Sequence, residues 1–505
     1  MACNLFTLNG LSNHCKERNA GGIKRIYAVP YGGLGGYVNT TTDTIVPVLT
    51  GNMVYEYTLP KNTAYLTSTY DNSVNYYTNE VSITFNKQDT GKRIEYMALA
   101  NTNLTMIIED ANGKYWMVGL EDSLMANGGT VESGTAISDA NKYTLTLTCI
   151  SKELPYEVLA SDMEDVLEIA RLLNEPGISV TTIPLNTITI NVGNFNAEDG
   201  NAHTVVWGDG TYTMTDGSEI TKGDDILTSI EDGFLTHRYA KTSSKKMKVI
   251  GTIFDSTFSI DDTPVTDSIK TVKIDAEVEK IVQLLIFQTH ITSIVIDSNS
   301  RVEMKAYALG YTGGCSINIP RGVQLTDARG YQLCNTNPTS LIFDENPEYT
   351  EIPWGFNYIL DGKGGLETDL VIPEGIETIG RTAFAVQSPY WGGQLRNLSL
   401  PSTLKRVDPW GFGYRFANNV TIEIPEGIEY IDDMAFARSF NGEGGSRGTY
   451  TIICRATTPP NAHQRAFYAV DFVAPSNCTL RVPSESISAY QAATGWSEFG
   501  TITAI

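Results

Sequence analysis

The sequence repeats itself from about residue 268 onward, and this repetition constrains the fold more strongly than any local propensity. Prolines at equivalent positions of the best copies follow one another at intervals of 28 and 24 residues. Each copy predicts a short strand, a turn, a second apolar pair and a buried Phe. One copy cannot bury its own apolar face, so we expect the copies to stack around a shared core. The clearest copies are residues 370–384, 398–412 and 422–436.

This pattern resembles the BspA-like leucine-rich repeats of bacterial surface antigens, over about the last 190 residues. Residues 489–496, Ala-Tyr-Gln-Ala-Ala-Thr-Gly-Trp, resemble the closing cap of such an array, which a solenoid needs for solubility. The resemblance implies a leucine-rich-repeat solenoid with a C-terminal cap. We assign this domain to residues 261–505.

Residues 176–260 predict a smaller β domain. Strand patterns occur at residues 187–192 and 247–253. The blocks Val-Val-Trp-Gly-Asp-Gly-Thr, which contains Trp207, and His237-Arg-Tyr-Ala resemble the polycystic-kidney-disease-type sandwich. That resemblance implies a PKD/Ig-like β-sandwich, in which Trp207 and His237 are core or strand-end positions rather than a site.

Residues 1–175 form a third segment, which predicts an all-β domain with one helix near its end. Asn112-Gly113 between two strand patterns predicts a two-residue hairpin turn. Residues 161–173 have a capping residue, early acids and apolar positions at helical spacing, which predicts a helix. Clear alternation of apolar and polar residues occurs at 80–85, 104–108 and 143–149.

This N-terminal segment resembles phage major tail-tube proteins, most clearly at residues 113–122 (Gly-Lys-Tyr-Trp-Met-Val-Gly-Leu-Glu-Asp) and 139–143. The resemblance implies a β-sandwich or barrel protomer that joins copies of itself into stacked hexameric rings. Such rings enclose the tape-measure protein, contact other tail proteins and later conduct DNA. The following domains then project outside the tube, which predicts a long non-contractile tail.

The net charge of -22 disfavours tight binding to nucleic acid, because no long Lys/Arg run is present to neutralise phosphates. An acidic lumen would instead let DNA pass without specific contacts. No stretch approaches about 18 apolar residues, so we expect no membrane insertion, and the N-terminus lacks the apolar region of a signal peptide. Seven scattered cysteines predict reduced thiols in a virion protein assembled in the host cytoplasm.

The sequence contains no pattern that predicts catalysis, a cofactor or a metal site. The five histidines lack the spacing of a zinc helix, and no nucleophile elbow or phosphate-binding loop occurs. Asp209, Asp216 and Asp224 lack the spacing of an EF-type calcium loop and favour tight turns. We therefore expect no enzyme activity, no cofactor and no bound metal.

Four aromatic residues are poorly explained by the repeat and are candidates for surface recognition. They lie where the units lengthen, and insertions in solenoids often fall on a binding face. Core packing is the alternative interpretation. The residues are Tyr390, Trp391, Trp410 and Tyr414.

Together these patterns predict a mainly β, non-enzymatic virion protein, the major tail-tube subunit of a long non-contractile phage tail. Its C-terminal domains would decorate the tail exterior and contact a glycan or protein on the host surface. Two alternatives stay open: a tail-tip or decoration protein that binds the receptor, and a bacterial leucine-rich-repeat surface adhesin.

Overall fold

The structure of the chain is a computed structural model and is mainly β: 44% of the described residues lie in strands, and three short helices occur among them. Contacts divide the chain into two compact units, 1–171 and 172–505. The structure describes residues 20–50, 53–136, 139–182, 184–191, 203–214, 219–220, 227–231, 234–254, 258–260, 269–281, 284–285, 291–310, 315–326, 331–333, 338–357, 369–385, 395–413, 416, 420–437, 449–468, 472, 474–476 and 478–505.

The first unit contains two main sheets and a separate hairpin. Its helices are Thr90–Ala100 (α1) and Ala160–Asn174 (α2), the second of which continues past residue 171. Its strands are Ile23–Pro30 (β1), Leu34–Asn39 (β2), Thr44–Leu49 (β3), Tyr55–Thr58 (β4), Ala64–Asp71 (β5), Tyr76–Asn86 (β6), Leu104–Asp110 (β7), Tyr115–Val118 (β8), Met125–Glu132 (β9), Lys142–Ser151 (β10) and Tyr156–Val158 (β11).

The two main sheets have the strand orders β11-β8-β7-β1-β4 and β5-β6-β10-β9, and β2 pairs with β3. All of these pairings are antiparallel, and apolar side chains of both sheets form one core. In β10 the side chains alternate as predicted, with Leu145 and Leu147 buried and their neighbours half-buried. Period-2 patterning therefore identified the strands correctly.

The turn between β7 and β8 is at the predicted place but is longer than predicted. Four residues, 111–114, separate the two strands. The Asp110 carboxylate accepts hydrogen bonds from the backbone N–H groups of Asn112 and Lys114, at 2.7 and 3.0 Å. Gly113 has φ +79°, the left-handed region that favours glycine. The side chain of Asp110 thus stabilises a wider loop than the two-residue turn.

The predicted helix at residues 161–173 is confirmed as α2, whereas α1 was not predicted. Asp89 caps α1 by accepting a hydrogen bond from the Lys92 N–H at 2.8 Å. Leu99 is buried, but Ile94 and Met97 are exposed. Because its apolar residues do not form one buried stripe, α1 lacks the periodic signal by which amphipathic helices are recognised.

Strand β9 is an open edge of the second sheet. All eight of its residues are exposed, including the apolar Met125 and Val131. Strand β5 forms the opposite edge of the same sheet and is also eight residues long. Open edges with unpaired backbone groups are templates for pairing with another chain.

Near its C-terminal end the second unit has a helix, Ile487–Ala492 (α3), preceded by a 3-10 turn at Ser484–Ser486. Its described strands are Gly177–Thr182 (β12), Leu185–Asn191 (β13), Thr204–Val206 (β14), Tyr212–Met214 (β15), Glu219–Ile220 (β16), Leu227–Glu231 (β17), Phe234–Ser243 (β18), Lys246–Ile250 (β19), Ile253–Phe254 (β20), Phe258–Ile260 (β21), Ile269–Ile274 (β22), Lys280–Ile281 (β23), Leu284–Leu285 (β24), Ser293–Ile296 (β25), Glu303–Met304 (β26), Ser316–Ile319 (β27), Gln324–Leu325 (β28), Ser340–Phe343 (β29), Glu351–Ile352 (β30), Leu370–Val371 (β31), Thr378–Ile379 (β32), Leu398–Ser399 (β33), Arg406–Val407 (β34), Val420–Ile424 (β35), Tyr430–Ile431 (β36), Tyr450–Cys454 (β37), Asn461–Ala462 (β38), Thr479–Val482 (β39) and Thr501–Ala504 (β40).

One nine-stranded sheet runs from the sandwich into the solenoid, in the order β16-β15-β14-β19-β12-β22-β25-β27-β29. β12 is antiparallel to both β19 and β22, and from β22 onward the strands are parallel. A single apolar cluster extends from Ile178 to Phe499. Packing within 172–505 is therefore continuous, and the division into domains 176–260 and 261–505 stays a prediction.

Trp207 and His237 lie in the core, as predicted. Their rings stack with centroids 4.5 Å apart, and both are fully buried. His237 Nε2 lies 2.9 Å from Asp209 Oδ2, and the Asp209 carboxylate also accepts from Thr211, as expected for a turn aspartate. Burial acts to raise the pKa of Asp209, but the hydrogen bond and charge of His237 hold it below its usual value.

The later turns of the solenoid follow the predicted unit, and the described part of the array has about 7 turns. In the unit that contains Leu370, β31 is followed by a turn with Gly375 at φ +100° and then by β32. A buried Phe follows, and these rings contact one another from turn to turn: Phe356 meets Phe384 edge-on at 6.3 Å, and the later rings stack with centroids 5.4 to 5.7 Å apart. The stacked residues are Phe356, Phe384, Phe412, Phe436 and Phe467.

The C-terminal cap closes this ladder. The Trp496 ring lies 4.9 Å from Phe467, and its indole N–H donates to the Pro460 carbonyl at 2.8 Å. Tyr490 of α3 is fully buried and packs edge-on against Trp496. The cap predicted from residues 489–496 is therefore confirmed, and its aromatic rings cover the last turn.

Gln332 is a buried polar side chain of the solenoid, as are Ser300 and Asn357. Gln332 is fully buried, and neither its Oε1 nor its Nε2 has a hydrogen-bond partner among the residues that the structure describes. Its carbonyl accepts from the Leu309 N–H, the same position that Gly411 and Ala435 occupy in later turns. The equivalent residue is Phe356 in the next turn and Ala383 in the turn after it, so the neighbouring turns have an apolar residue at this position.

Candidate functional site

The corner that follows the second strand of each turn holds the most distinctive exposed side chains. At this corner one backbone N–H donates to a carbonyl of the next turn. Trp354 and Arg381 therefore occupy the same acceptor position in successive turns, whereas in the next turn Pro409 takes that position and Trp410 follows it at the donor position. The bonds are Tyr331 N to Trp354 O at 3.0 Å, Gly355 N to Arg381 O at 2.9 Å, Thr382 N to Pro409 O at 3.0 Å and Trp410 N to Asp433 O at 3.2 Å.

The two corner tryptophans differ from the other tryptophans that the structure describes. Trp354 is 39% exposed and Trp410 is half-buried. Within the described ranges, neither indole N–H has a hydrogen-bond partner. By contrast, the remaining indoles donate to protein: Trp116 to Asp110, Trp207 to Thr213 and Trp496 to Pro460.

Arg381 lies between the two tryptophans along the array and is exposed. Its guanidinium forms no ion pair with any residue in the described part of the chain. Nearby arginines are already paired: Arg406 with Asp432 at 3.1 Å, and Arg465 with Asp433 at 2.5 Å. Arg381 thus offers its planar array of donors to a partner outside the protein.

Aromatic rings extend this corner toward the N-terminal end of the solenoid. Tyr307 and Tyr331 stack at 5.6 Å with their planes 9° apart, and Trp354 lies 5.5 Å from Tyr331. Gly355 permits this arrangement, because a Cβ there would lie 2.8 Å from the Tyr331 ring. Tyr307, Tyr331 and Trp410 have φ of 62°, 65° and 60°, a conformation that costs energy for such residues.

Two acidic groups lie beside this corner. Asp408 is bonded to Arg406, which neutralises it. Burial, and then the neighbouring Asp408 carboxylate, raise the pKa of Glu351. Arg381 is therefore a cation without an ion-pair partner among the described residues, and it lies near two carboxylates. Those carboxylates would repel a partner that carries many negative charges.

The sheet face of the solenoid also exposes apolar side chains in register. Val295, Ile342 and Val371 are 46%, 53% and 59% exposed at the outward position of their strands. Ladder pairing places Asn318 between Val295 and Ile342. Isolated exposed residues of this kind are common on protein surfaces, so this row defines a weaker candidate than the corner.

Of the four residues predicted for recognition, Trp410 lies at the corner and is half-buried. Tyr390, Trp391 and Tyr414 lie outside the described residues. Trp354 and Arg381 were not identified from the sequence. A signal for Trp354 was present, because Pro-Trp-Gly-Phe occurs twice, ending at Phe356 and at Phe412.

The described residues offer no group of three His, Cys, Asp or Glu side chains that could hold a metal ion. Their cysteines form no disulfide. No helix in the described ranges is both long and apolar enough to cross a membrane.

A groove of about 410 Å³ in the first unit is lined by Tyr65, Trp116 and Leu154, among others. The Trp116 indole N–H of this groove already donates to Asp110, and the Tyr65 hydroxyl already donates to Glu80.

Stacked short parallel strands, a ladder of buried Phe and an aromatic cap define a leucine-rich-repeat solenoid. Residues 363–443 match the family described as "BspA type Leucine rich repeat region", in six copies. The chain therefore contains a BspA-like leucine-rich-repeat region, which confirms that part of the sequence interpretation. The family match does not extend to the first unit, where the tail-tube resemblance stays a prediction.

The chain was also compared with curated proteins and with solved structures. No curated protein matches the chain. Among solved structures, the pneumococcal vaccine antigen PcpA is 16% identical, with a TM-score of 0.22, over 47% of this chain and 67% of that chain. At this level of similarity, neither its fold nor its function is transferred to this protein.

Proposed function

We propose that the protein is a non-enzymatic surface-recognition protein of the adhesin type, in which the solenoid is the binding module. One observation carries this proposal: the corner of three successive turns presents two tryptophans and an arginine whose polar groups have no partner within the described residues. Large aromatic side chains and arginine are enriched at the centres of binding surfaces. The BspA-like repeats support the same class of function.

The surroundings of Trp354 and Trp410 favour a role in binding a partner over a role in packing the fold. Unlike Trp207 and Trp496, Trp354 and Trp410 have no hydrogen-bond partner for the indole N–H among the described residues. Trp410 also adopts a positive φ, which glycine would adopt without strain. Aromatic side chains that reach the surface supply large contact area at low entropic cost in binding.

The test measures binding of the labelled full-length protein to intact cells, with bacterial cells and mucin-coated epithelial cells in parallel. We expect saturable binding to at least one cell type that unlabelled protein displaces. The Trp354→Ala/Trp410→Ala double variant should bind at least tenfold more weakly. Phe472→Ala, which removes an exposed aromatic elsewhere in the unit, is the matched control and should bind normally. Absence of saturable binding, or equal binding by the double variant, contradicts the proposal.

A second candidate function is the tail-tube subunit of a long non-contractile phage tail, favoured by the open edges of the first unit. β9 exposes all eight residues, and β5 forms the opposite edge. Head-to-tail pairing of two such edges would close a ring of identical subunits. In this role the protein would bind copies of itself in stacked hexamers, surround the tape measure and pass DNA, with the solenoid outside as the host-contacting element.

Self-association distinguishes this second candidate. Negative-stain imaging and light scattering of the purified protein should then show rings or tubes. Val131→Lys should reduce the assembled fraction at least tenfold, because a charged edge residue opposes strand pairing. Lys114→Gln, a surface change away from β9, should leave assembly unchanged. A protein that stays monomeric at high concentration contradicts the tail-tube function and leaves surface recognition unaffected.

A further inference from the structure

We infer that the corner formed by Trp354, Arg381 and Trp410 binds an oligosaccharide that carries a carboxylate. This inference deepens the proposed function, on which it rests, by naming the ligand class of the recognition surface. No catalytic step is involved.

Spacing and ring chemistry point to a sugar. The two tryptophans lie two turns apart, which at about 4.8 Å per strand is about 10 Å along the array. That distance is about the length of two linked pyranose rings. Each indole offers an apolar face for the C–H groups of a pyranose and an N–H donor for a hydroxyl. Both indole N–H groups lack a partner within the described part of the chain, so neither must give up an internal bond.

The guanidinium of Arg381 indicates that the sugar carries an acidic group. It occupies the turn between the two tryptophans, where a guanidinium can bond a carboxylate through two parallel N–H groups. Arg406 and Arg465 are held by aspartates, so they do not compete for the ligand. The guanidinium of Arg381 is therefore the cation that a ligand at this corner would meet.

The neighbouring negative charges further restrict the class of ligand that can bind at this corner. Glu351 and Asp408 lie beside the corner, and the whole chain has a net charge of -22. A densely anionic polymer such as a nucleic acid would be repelled by this surface. An oligosaccharide with one carboxylate for every one or two rings satisfies Arg381 and avoids that repulsion.

The experiment titrates the full-length protein with two acidic probes, 6′-sialyllactose and a hyaluronan tetrasaccharide, and with neutral lactose and chitotetraose. Quenching of tryptophan fluorescence and calorimetry report binding. We expect at least one acidic probe to bind saturably and at least tenfold more tightly than its neutral counterpart, with weaker binding at high salt. Failure of both acidic probes to bind, or equal binding of the neutral sugars, overturns the inference.

Variants test the residues themselves. Arg381→Gln and Trp354→Ala should each weaken binding of the acidic probe at least tenfold, whereas Trp354→Phe should retain most of it. Arg396→Gln, which changes an exposed arginine beside β33, is the control and should bind like the unchanged protein. Because the changed side chains are exposed, melting temperatures should stay the same. Equal affinity of Arg381→Gln and Arg396→Gln overturns the inference.

The cell-binding assay separates this inference from the proposed function. If cells are bound saturably but Arg381→Gln and free acidic probe have no effect, the surface recognises another ligand, such as a protein, and only the sugar assignment fails. If no cell type is bound and no probe binds, both fail. Binding of an acidic probe without binding to cells supports the sugar assignment and counts against adhesion.

Discussion

Replacing Gln332 with Met should stabilise the solenoid. The Gln332 side chain is fully buried, and its amide oxygen and nitrogen both lack partners. Burying an unpaired polar group costs about 1–3 kcal/mol. Met has nearly the same shape as Gln, and such volume-conserving changes cost less than about 1.5 kcal/mol. We therefore expect the free energy of unfolding to rise by about 1–3 kcal/mol.

Urea unfolding of the full-length protein, followed by tryptophan fluorescence, measures this change. Five of the six tryptophans, all except Trp116, lie in residues 172–505, so the signal reports mainly the unit that contains Gln332. Gln324→Met is the matched control. The Gln324 amide is half-buried and donates to the Gly322 carbonyl at 3.0 Å. The control should therefore lose about 0.5–1.5 kcal/mol instead of gaining stability.

Two results would refute this reasoning. A lower midpoint for Gln332→Met would mean that the buried amide makes stabilising hydrogen bonds, for instance to a buried water. An equal change in both variants would mean that the burial of the amide does not matter. An unchanged slope with urea is also required, because a different slope would indicate a change in the compactness of one state.

Two other changes test the core. Phe412→Ala should lower the free energy of unfolding by about 3–5 kcal/mol in the same urea assay, because it opens a cavity in the ring ladder. Phe472→Ala, on the surface, should change it by less than about 0.5 kcal/mol. Asp209 has a pKa below its usual value in the folded state, so its contribution to stability is present above the unfolded pKa of about 3.8 and is lost as pH falls through the folded pKa. Asp209→Asn should therefore flatten the acid limb of a stability-pH profile, and an unchanged limb would show that the bond to His237 contributes nothing.

The repeat region was predictable because its signal is redundant. The Pro-Glu-Gly turns, the second apolar pair and the buried Phe each recur, so one weak copy does not obscure the pattern. Strands of only two residues, such as β31 and β32, would not be recognised by local propensity. Their repetition identified them, and the ring ladder from Phe356 to Phe467 shows why each copy needs its neighbours.

The first unit was predicted less completely. Alternation along β10 identified a half-buried strand, but α1 leaves Ile94 and Met97 in solvent. Its position depends on the Asp89 cap and on contact with the sheet, where the Tyr96 hydroxyl lies against Gly129. A cap and one close approach between distant residues leave no periodic pattern in the sequence.

The candidate site was predicted only in part, for a different reason. Trp410 was identified because it did not fit the repeat, but Arg381 is an ordinary surface residue in sequence. Only the corner hydrogen bonds place Arg381 between Trp354 and Trp410. Whether a charged side chain has a partner depends on which turns are adjacent, and a single sequence does not supply that information.

The sheet that passes from β12 through β22 into the solenoid has a consequence for how such proteins are inherited. An array of repeats can gain or lose internal turns by duplication, because every internal turn presents the same surface to its neighbours. Its first turn has no such freedom, since β22 is paired on one side with β12. We therefore expect turns to be added or removed within the array while the pairing of β22 with β12 is kept.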